Sequence, residues 1–346
     1  MARETAGFFD IAVAGAGPAG AVTALCLARR GIRVALFEAT GFDGERYGET
    51  LPPEINAVLR ELQLWDAFSA LDSVPAPGIV SAWGASTPAE QDFVANAHGC
   101  GWHIDRNRFD GMICHEAAKA GAEVFPHCPV QPSNSAGGGW RIGEVQAAFL
   151  VDASGRVGLR VDGEHLYQKD DTLLAIALRL NAEVSDLRTI IETTPRGWWY
   201  TAPVPGGQAV AMFFTDPEIY ANEGIALGEE LACAPLTCAR LAAGHIVSSR
   251  VVHVPSACRM KLFGADWAAA GDSASAYDPL SGRGIFKAFR HGAALADAIS
   301  TGRMEEYAAR VTREFGEYVR QRRMYYAGER RWPGSAFWRK RIQDDH

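Results

Sequence analysis

The sequence predicts an α/β fold: a Rossmann-like dinucleotide-binding half, interleaved with an antiparallel-sheet half and closed by a helical C-terminus. Three observations predict it. Gly15-Ala16-Gly17-Pro18-Ala19-Gly20 sits between a short apolar run and a stretch of small helix-forming residues. Runs rich in Ile, Val, Thr and aromatics fill the middle of the chain, divided by Gly, Pro, Asn and Asp turns. Helical patterns dominate after Gly284.

The first element is a buried strand, Asp10–Ala14. The glycine motif follows, then a helix through Ala28 and a second strand, Arg33–Phe37, ending at Glu38. Gly15 permits the tight turn. Gly17 lets backbone approach a pyrophosphate, and Gly20 lets the helix pack on the strand. Pro18 and Ala19 open the helix whose positive end would face the phosphates. Glu38 stands where a carboxylate accepts hydrogen bonds from the adenosine ribose.

In the middle of the chain, strands are expected at Ile79–Trp83, Leu173–Leu180, Thr189–Thr193, Trp198–Pro203 and Gln208–Thr215. Pro203–Gly207 reads as the hairpin connection between the last two. Ser133–Gly139 reads as a polar glycine-rich turn.

Bulk properties narrow the function. The 346 residues are 48% hydrophobic and 22% charged, with a net charge of −7. That balance gives no drive toward nucleic acid or anionic membrane. MARETAGFFD lacks a secretion signal, and the apolar run after it is too short to span a bilayer. The seven cysteines show no CxxC, which argues for reduced thiols, a cytoplasmic setting and no metal site. The C-terminal basic residues Arg330, Arg331, Arg339, Lys340 and Arg341 read as a solvated face, with partner docking as the sharper alternative.

Four further segments carry a family resemblance. They are Arg46-Tyr47-Gly48-Glu49-Thr50-Leu51-Pro52-Pro53, Asp105-Arg106-Asn107-Arg108-Phe109-Asp110, Phe149–Arg156, and Ala270-Gly271-Asp272-Ser273 with Asp278–Gly284. In this order they resemble the p-hydroxybenzoate hydroxylase and flavin-dependent halogenase superfamily. The resemblance implies FAD. Arg46 and Glu49 would lie near its ribitol and pyrophosphate, and Arg106 would reach the phosphates or ribitol. Asp272 would bind the ribityl chain and Pro279 would lie along the isoalloxazine. The amides around Gly282, Gly284 and Ile285 would face its pyrimidine edge. The implied division assigns 1–74, 102–157 and 256–300 to the FAD-binding domain. Residues 75–101 and 158–255 form the substrate domain, and 301–346 a C-terminal helical segment.

Gly197-Trp198-Trp199-Tyr200-Thr201-Ala202-Pro203 lies at the position of the halogenase pattern GWxWxIP. Tyr200 replaces the second Trp and Ala202 the Ile. Halogenases also need a lysine between the Glu49 loop and the Arg106 element, and the first lysine of this chain is Lys119. With its C-terminal Arg331-Trp332-Pro333-Gly334-Ser335-Ala336-Phe337-Trp338, the chain more closely resembles the maturase flavoproteins of tryptophylquinone enzymes and related peptide-tryptophan monooxygenases. The resemblance implies hydroxylation of an electron-rich, indole-like group, on a small molecule or a tryptophan-containing protein or peptide, through a C4a-hydroperoxyflavin. O2 would be co-substrate. Electrons would come from NAD(P)H directly or through a partner flavin reductase. The alternatives are a reductase of the geranylgeranyl-reductase type, a halogenase, and a flavin-bound chaperone. His103 and Glu49 are the candidate catalytic residues. Trp83, Trp198, Trp199 and Tyr200 are the candidate substrate residues. Alternation along a strand puts Trp198 and Tyr200 on one face and Trp199 on the other.

Overall fold

Residues 7–134, 138–161 and 166–342 are described by the structure, a computed structural model. The N-terminal residues 1–6, part of the segment read for a secretion signal, lie outside them, as do 135–137 of the predicted polar turn. The flanks of that turn pair, Trp140 with Asn134 and Arg141 with Ser133.

A parallel sheet builds the nucleotide half. Its strands run Glu123–Phe125, Val34–Phe37, Phe8–Ala14, Val145–Asp152 and Trp267–Ala269 in spatial order. The central strands are buried on both faces, as expected where helices cover a parallel sheet. The helix Pro18–Ala28 packs on the helix Gly284–Thr301, and Gly292 makes the close approach possible. A Cβ there would sit 2.6 Å from the carbonyl oxygen of Ala19.

The second sheet has eight strands. Its order is Ser275–Ala276, His245–Arg259, Tyr167–Asn181, Gln208–Thr215, Gly197–Val204, Thr189–Thr194, Gly78–Ala82 and Ala89–Asp92. Every neighbouring pair is antiparallel except Gly78–Ala82 with Thr189–Thr194. The strand His245–Arg259 is absent from the sequence-based expectation. Its Ser, His, Arg and Pro interruptions hide the pattern.

The two faces of this sheet carry different cores. One holds Leu174, Ile176, Leu178, Trp199 and Phe213. The other holds Leu173, Ala175, Ala177, Trp198, Val210, Met212 and Phe214, and there the C-terminal Tyr326, Phe337 and Trp338 close over it. The helices Met304–Gly328 and Ala336–Ile342 supply that cover.

The basic C-terminus is therefore only partly a solvated face. Arg341 is buried, with Asp171 and Asp216 around its guanidinium at 2.7–3.3 Å. A charge taken out of water needs such partners.

Candidate active site

The glycine motif behaves as its spacing requires. Gly15 has φ +100°, and a Cβ there would lie 2.5 Å from the Ala153 carbonyl oxygen. A Cβ on Gly20 would lie 1.9 Å from the Gly15 oxygen. Gly17 differs, because nothing lies within 4 Å of its would-be Cβ. No packing within the protein demands glycine at that position. The open space at the helix N-terminus is what a dinucleotide phosphate needs, so these residues fit FAD.

Glu38 is buried and fully engaged. It accepts hydrogen bonds from the Ala16 amide at 3.2 Å, from the Thr40 amide and hydroxyl, and from Arg46 at 2.8 Å. It ties the glycine loop to the Arg46 loop. Asp110, the last residue of the Asp105–Asp110 element, plays a similar part. It is buried between Arg46 at 3.0 Å and Arg106 at 3.0 Å. Asp105 caps the helix Arg106–Lys119 by accepting from the amides of Asn107 and Arg108. Thus the motif's two acids orient its arginine.

Arg46 and Arg106 line a cavity of about 190 Å³ together with Glu45, Asn107 and Arg179. Arg179 was not anticipated, although one charge inside the apolar run Leu173–Leu180 was the signal for it. It contacts Glu49 and Gln208 only at 3.4 and 3.3 Å. Glu49 is buried and also accepts from the Gly48 amide. Burial pushes its carboxyl above the ordinary range, against the pull of Arg179.

Asp272 stands at the start of the segment predicted to hold the ribityl chain. Its carboxylate receives Lys287 at 2.8 Å and Arg156 at 3.2 Å. Burial would raise its pKa, but these two cations outweigh it and hold the carboxyl down to about 2. Lys287 is itself buried, which lowers its own pKa. Beyond Asp272 the chain makes a short turn, Pro279–Ser281, and Gly282 takes φ +59° before the helix opens at Gly284, next to the buried Ile285.

Asp278 anchors that turn. It accepts from the Leu280 amide at 2.8 Å, from Arg322 at 3.0 Å and from the Tyr326 hydroxyl at 2.8 Å. The Tyr326 oxygen in turn accepts from the Trp198 indole N–H at 3.1 Å. An indole can only donate, so the direction of this chain is fixed. It links the tryptophan strand to the predicted flavin loop through a C-terminal helix.

The expected alternation of the aromatic strand holds. Trp198 and Tyr200 share the face that carries Tyr47 and Leu280, while Trp199 packs on Phe213 across the sheet. Trp199 is thereby removed from the group of side chains near the predicted flavin loop. Trp83 sits among Trp198, Tyr326 and Trp338, with ring centroids 5.4–6.0 Å apart. Trp198 is fully enclosed by this cluster, and Tyr200 keeps some exposure.

His103 is buried, with both ring nitrogens occupied. Nε2 lies 2.7 Å from the Leu187 carbonyl and Nδ1 2.9 Å from Thr50 Oγ1. Burial lowers its pKa to about 4, so the ring is neutral at ordinary pH. The Leu187 carbonyl only accepts, so Nε2 carries the proton. Thr50 therefore donates to Nδ1, and Tyr200 donates to Thr50 across 2.6 Å. His103 is thus a satisfied end of a hydrogen-bond chain, not an open base.

Among the described residues no helix is long and apolar enough to cross a membrane, and no group of three or more His, Cys, Asp or Glu could hold a metal ion.

Comparison with known proteins agrees with the geometry. A family model described as an FAD binding domain matches residues 9–140. LodB of Marinomonas mediterranea, a provisional FAD-dependent oxidoreductase, is 28% identical over 96% of both chains. A flavin-dependent halogenase of Armillaria mellea is 31% identical, but over 43% of this chain and 33% of its own length. Among solved structures, the flavin-dependent halogenase CmlS aligns with a TM-score of 0.83 at 23% identity, covering 97% of this chain and 68% of its own. The peptidyl tryptophan dihydroxylase QhpG aligns at 0.77 and 23% identity, covering 97% and 79%. These likenesses support an FAD-dependent oxidoreductase with the fold of the flavin-dependent halogenase and tryptophan dihydroxylase structures.

Proposed function

We propose that the chain is a monooxygenase that hydroxylates an electron-rich aromatic group, an indole or a tryptophan side chain held in a polypeptide. One observation carries this reading. The sheet face bearing Trp198 and Tyr200 is the face against which Leu280 of the predicted flavin loop packs. An arene held there would lie between aromatic walls and the flavin. The likeness to LodB over the whole chain and the fold shared with QhpG support the same class. The first lysine of the chain, Lys119, follows both motifs that bracket the halogenase lysine, which weighs against halogenation.

When bound, FAD with O2 supplies the oxygen chemistry. The residues supply position and dryness. Arg46 and Arg106 hold phosphate or ribitol oxygens in bonds strengthened by charge. Asp272, kept ionised by Lys287 and Arg156, accepts ribityl hydroxyls. The amides opening the helix at Gly284 stabilise negative charge on the ring system. The cluster of partly buried Trp83 with buried Trp198, Tyr326 and Trp338 excludes water from one side. Tyr200 donates to Thr50, so the lone pair left on its oxygen is free to accept an indole N–H and orient the ring. His103 acts through Thr50 as a positioning residue for that hydroxyl. Glu49 pairs with Arg179 at the cavity wall.

The test uses FAD-loaded, chemically reduced protein, a tryptophan-containing peptide and isotopically labelled O2. The expected result is a peptide heavier by one labelled oxygen per flavin reoxidised. Complete flavin turnover with unchanged peptide and indole mass overturns the reading. Incorporation of chlorine or bromine from added halide would replace it with halogenation.

A further inference from the structure

The strand His245–Arg259 has two unlike edges. One is paired along its whole length with Tyr167–Asn181, from His245 opposite Asn181 to Arg259 opposite Tyr167. The other is paired only at Ala257 and Cys258, with Ala276 and Ser275. Among the described residues no strand occupies the remainder of that edge. The register shifts near Val247, and Ser248–Val254 is regular. Seven residues offer roughly 23 Å of backbone with every second N–H and C=O directed outward.

Natural proteins blunt such edges with lysine, proline or a covering element. This one has no lysine and no proline before Pro255. Val251 is 47% exposed, and Ile246 and Val247 beside the irregularity are 61% and 56% exposed. β-branched residues in this state fit an additional strand.

Its ends fix what the edge is for. At one end Ser275–Ala276 closes it and runs directly into Asp278 and the predicted flavin loop. At the other, Ser248 bonds to Glu45 and Arg250 lies 3.3 Å from the same carboxylate. Glu45 borders the cavity of Arg46, Arg106 and Arg179. The open edge thus bridges the two loops assigned to the flavin. Val252 and Val254 point to the sheet face that carries Trp198 and Tyr200. A strand added about 4.8 Å away would place alternate side chains on that face.

We propose that this edge receives an extended segment of the polypeptide substrate by strand addition, delivering its tryptophan to the flavin side of the sheet. The inference rests on the hydroxylase reading above. The charged or titratable side chains exposed on His245–Val254 are His245, Arg250 and His253, with no acid among them. The partner strand is therefore neutral or acidic.

The probe is a positional library of twelve-residue peptides, each with one central tryptophan, against the full FAD-loaded protein. Of two consecutive strand residues, one directs its N–H to the paired neighbour and one outward. Ser249→Pro and Arg250→Pro therefore differ: thermal melting identifies the tolerated, outward variant. Peptides selected by the wild-type protein should bind that variant at least tenfold more weakly. Methylating alternate peptide amides should cause a similar loss in one register only. The proposal is overturned if no peptide binds better than a tryptophan-free library, or if binding ignores both changes. It is also overturned if sedimentation shows two copies joined through this edge. Labelled oxygen in N-acetyltryptophanamide, measured separately on the wild-type protein, tests the hydroxylase reading. Its presence with edge-independent peptide binding sinks strand docking alone. Edge-dependent binding without oxygen in any indole sinks the hydroxylase reading alone.

Discussion

Two arginine pairs in this chain are built differently. Arg46 and Arg106 share Asp110 and keep 19% and 13% of their side chains exposed, facing the cavity between the motif loops. Arg322 and Arg341 are 5% and 1% exposed and are met by four carboxylates: Asp170, Asp171, Asp216 and Asp278. The second pair has no surface left for a ligand. It locks the C-terminal helices to the eight-stranded sheet and to the loop at Asp278. The first pair is held in place but not enclosed. Carboxylate supply and residual exposure separate an arginine that binds from one that builds.

The largest effect expected from that contrast is on stability. Arg341→Met removes the buried cation of Asp216 and one of the two at Asp171, and should cost about 3–5 kcal/mol. Chemical denaturation should show this loss with and without FAD. A loss under 1 kcal/mol would remove the distinction between the pairs.

A second, smaller effect is a dependence on pH. His103 ordinarily titrates near 6.5 and is held at about 4 by burial. Between these values the unfolded chain binds a proton that the folded chain refuses. Stability therefore falls as pH drops from about 6.5 to about 4, by up to about 3 kcal/mol, and this contribution levels off below. Denaturation curves across this window should flatten in His103→Gln relative to wild type. Parallel slopes would mean that His103 does not titrate as its surroundings dictate.

The smallest effect should appear only in cofactor binding. Arg106→Lys keeps the charge but loses the planar fork, and should weaken FAD about tenfold. Its apo-protein should melt close to wild type, unlike Arg341→Met. Equal losses of stability in the two variants would break the comparison.

Much of the nucleotide half was legible from sequence because backbone geometry restricts residue choice there. Gly15 and Gly20 leave no room for a Cβ, and Gly17 leaves open space at the helix N-terminus. Alternation alone separated Trp199 from Trp198 and Tyr200. The C-terminal basic run misled, because local charge does not reveal Asp171 and Asp216, more than a hundred residues away. His103 was singled out for its place beside a motif, yet its neighbours Thr50 and Leu187 come from distant segments. Arg179 could have been read as a charge in a buried strand in need of a partner. The strand His245–Arg259 could not, since its polar residues reflect an edge left open.

The order of strands in the nucleotide sheet also sets a timetable. Phe8–Ala14 is made before Val145–Asp152 and Trp267–Ala269, which complete its sheet. At about 5–20 residues per second, roughly 10–50 s of synthesis separate the first of these strands from the last. Throughout that interval the apolar faces of the early strands have no final partner. The cofactor cleft closes only once the helix beginning at Gly284 can pack against Pro18–Ala28. A cofactor held between these helices would therefore be captured only after the segment from Gly284 has been made.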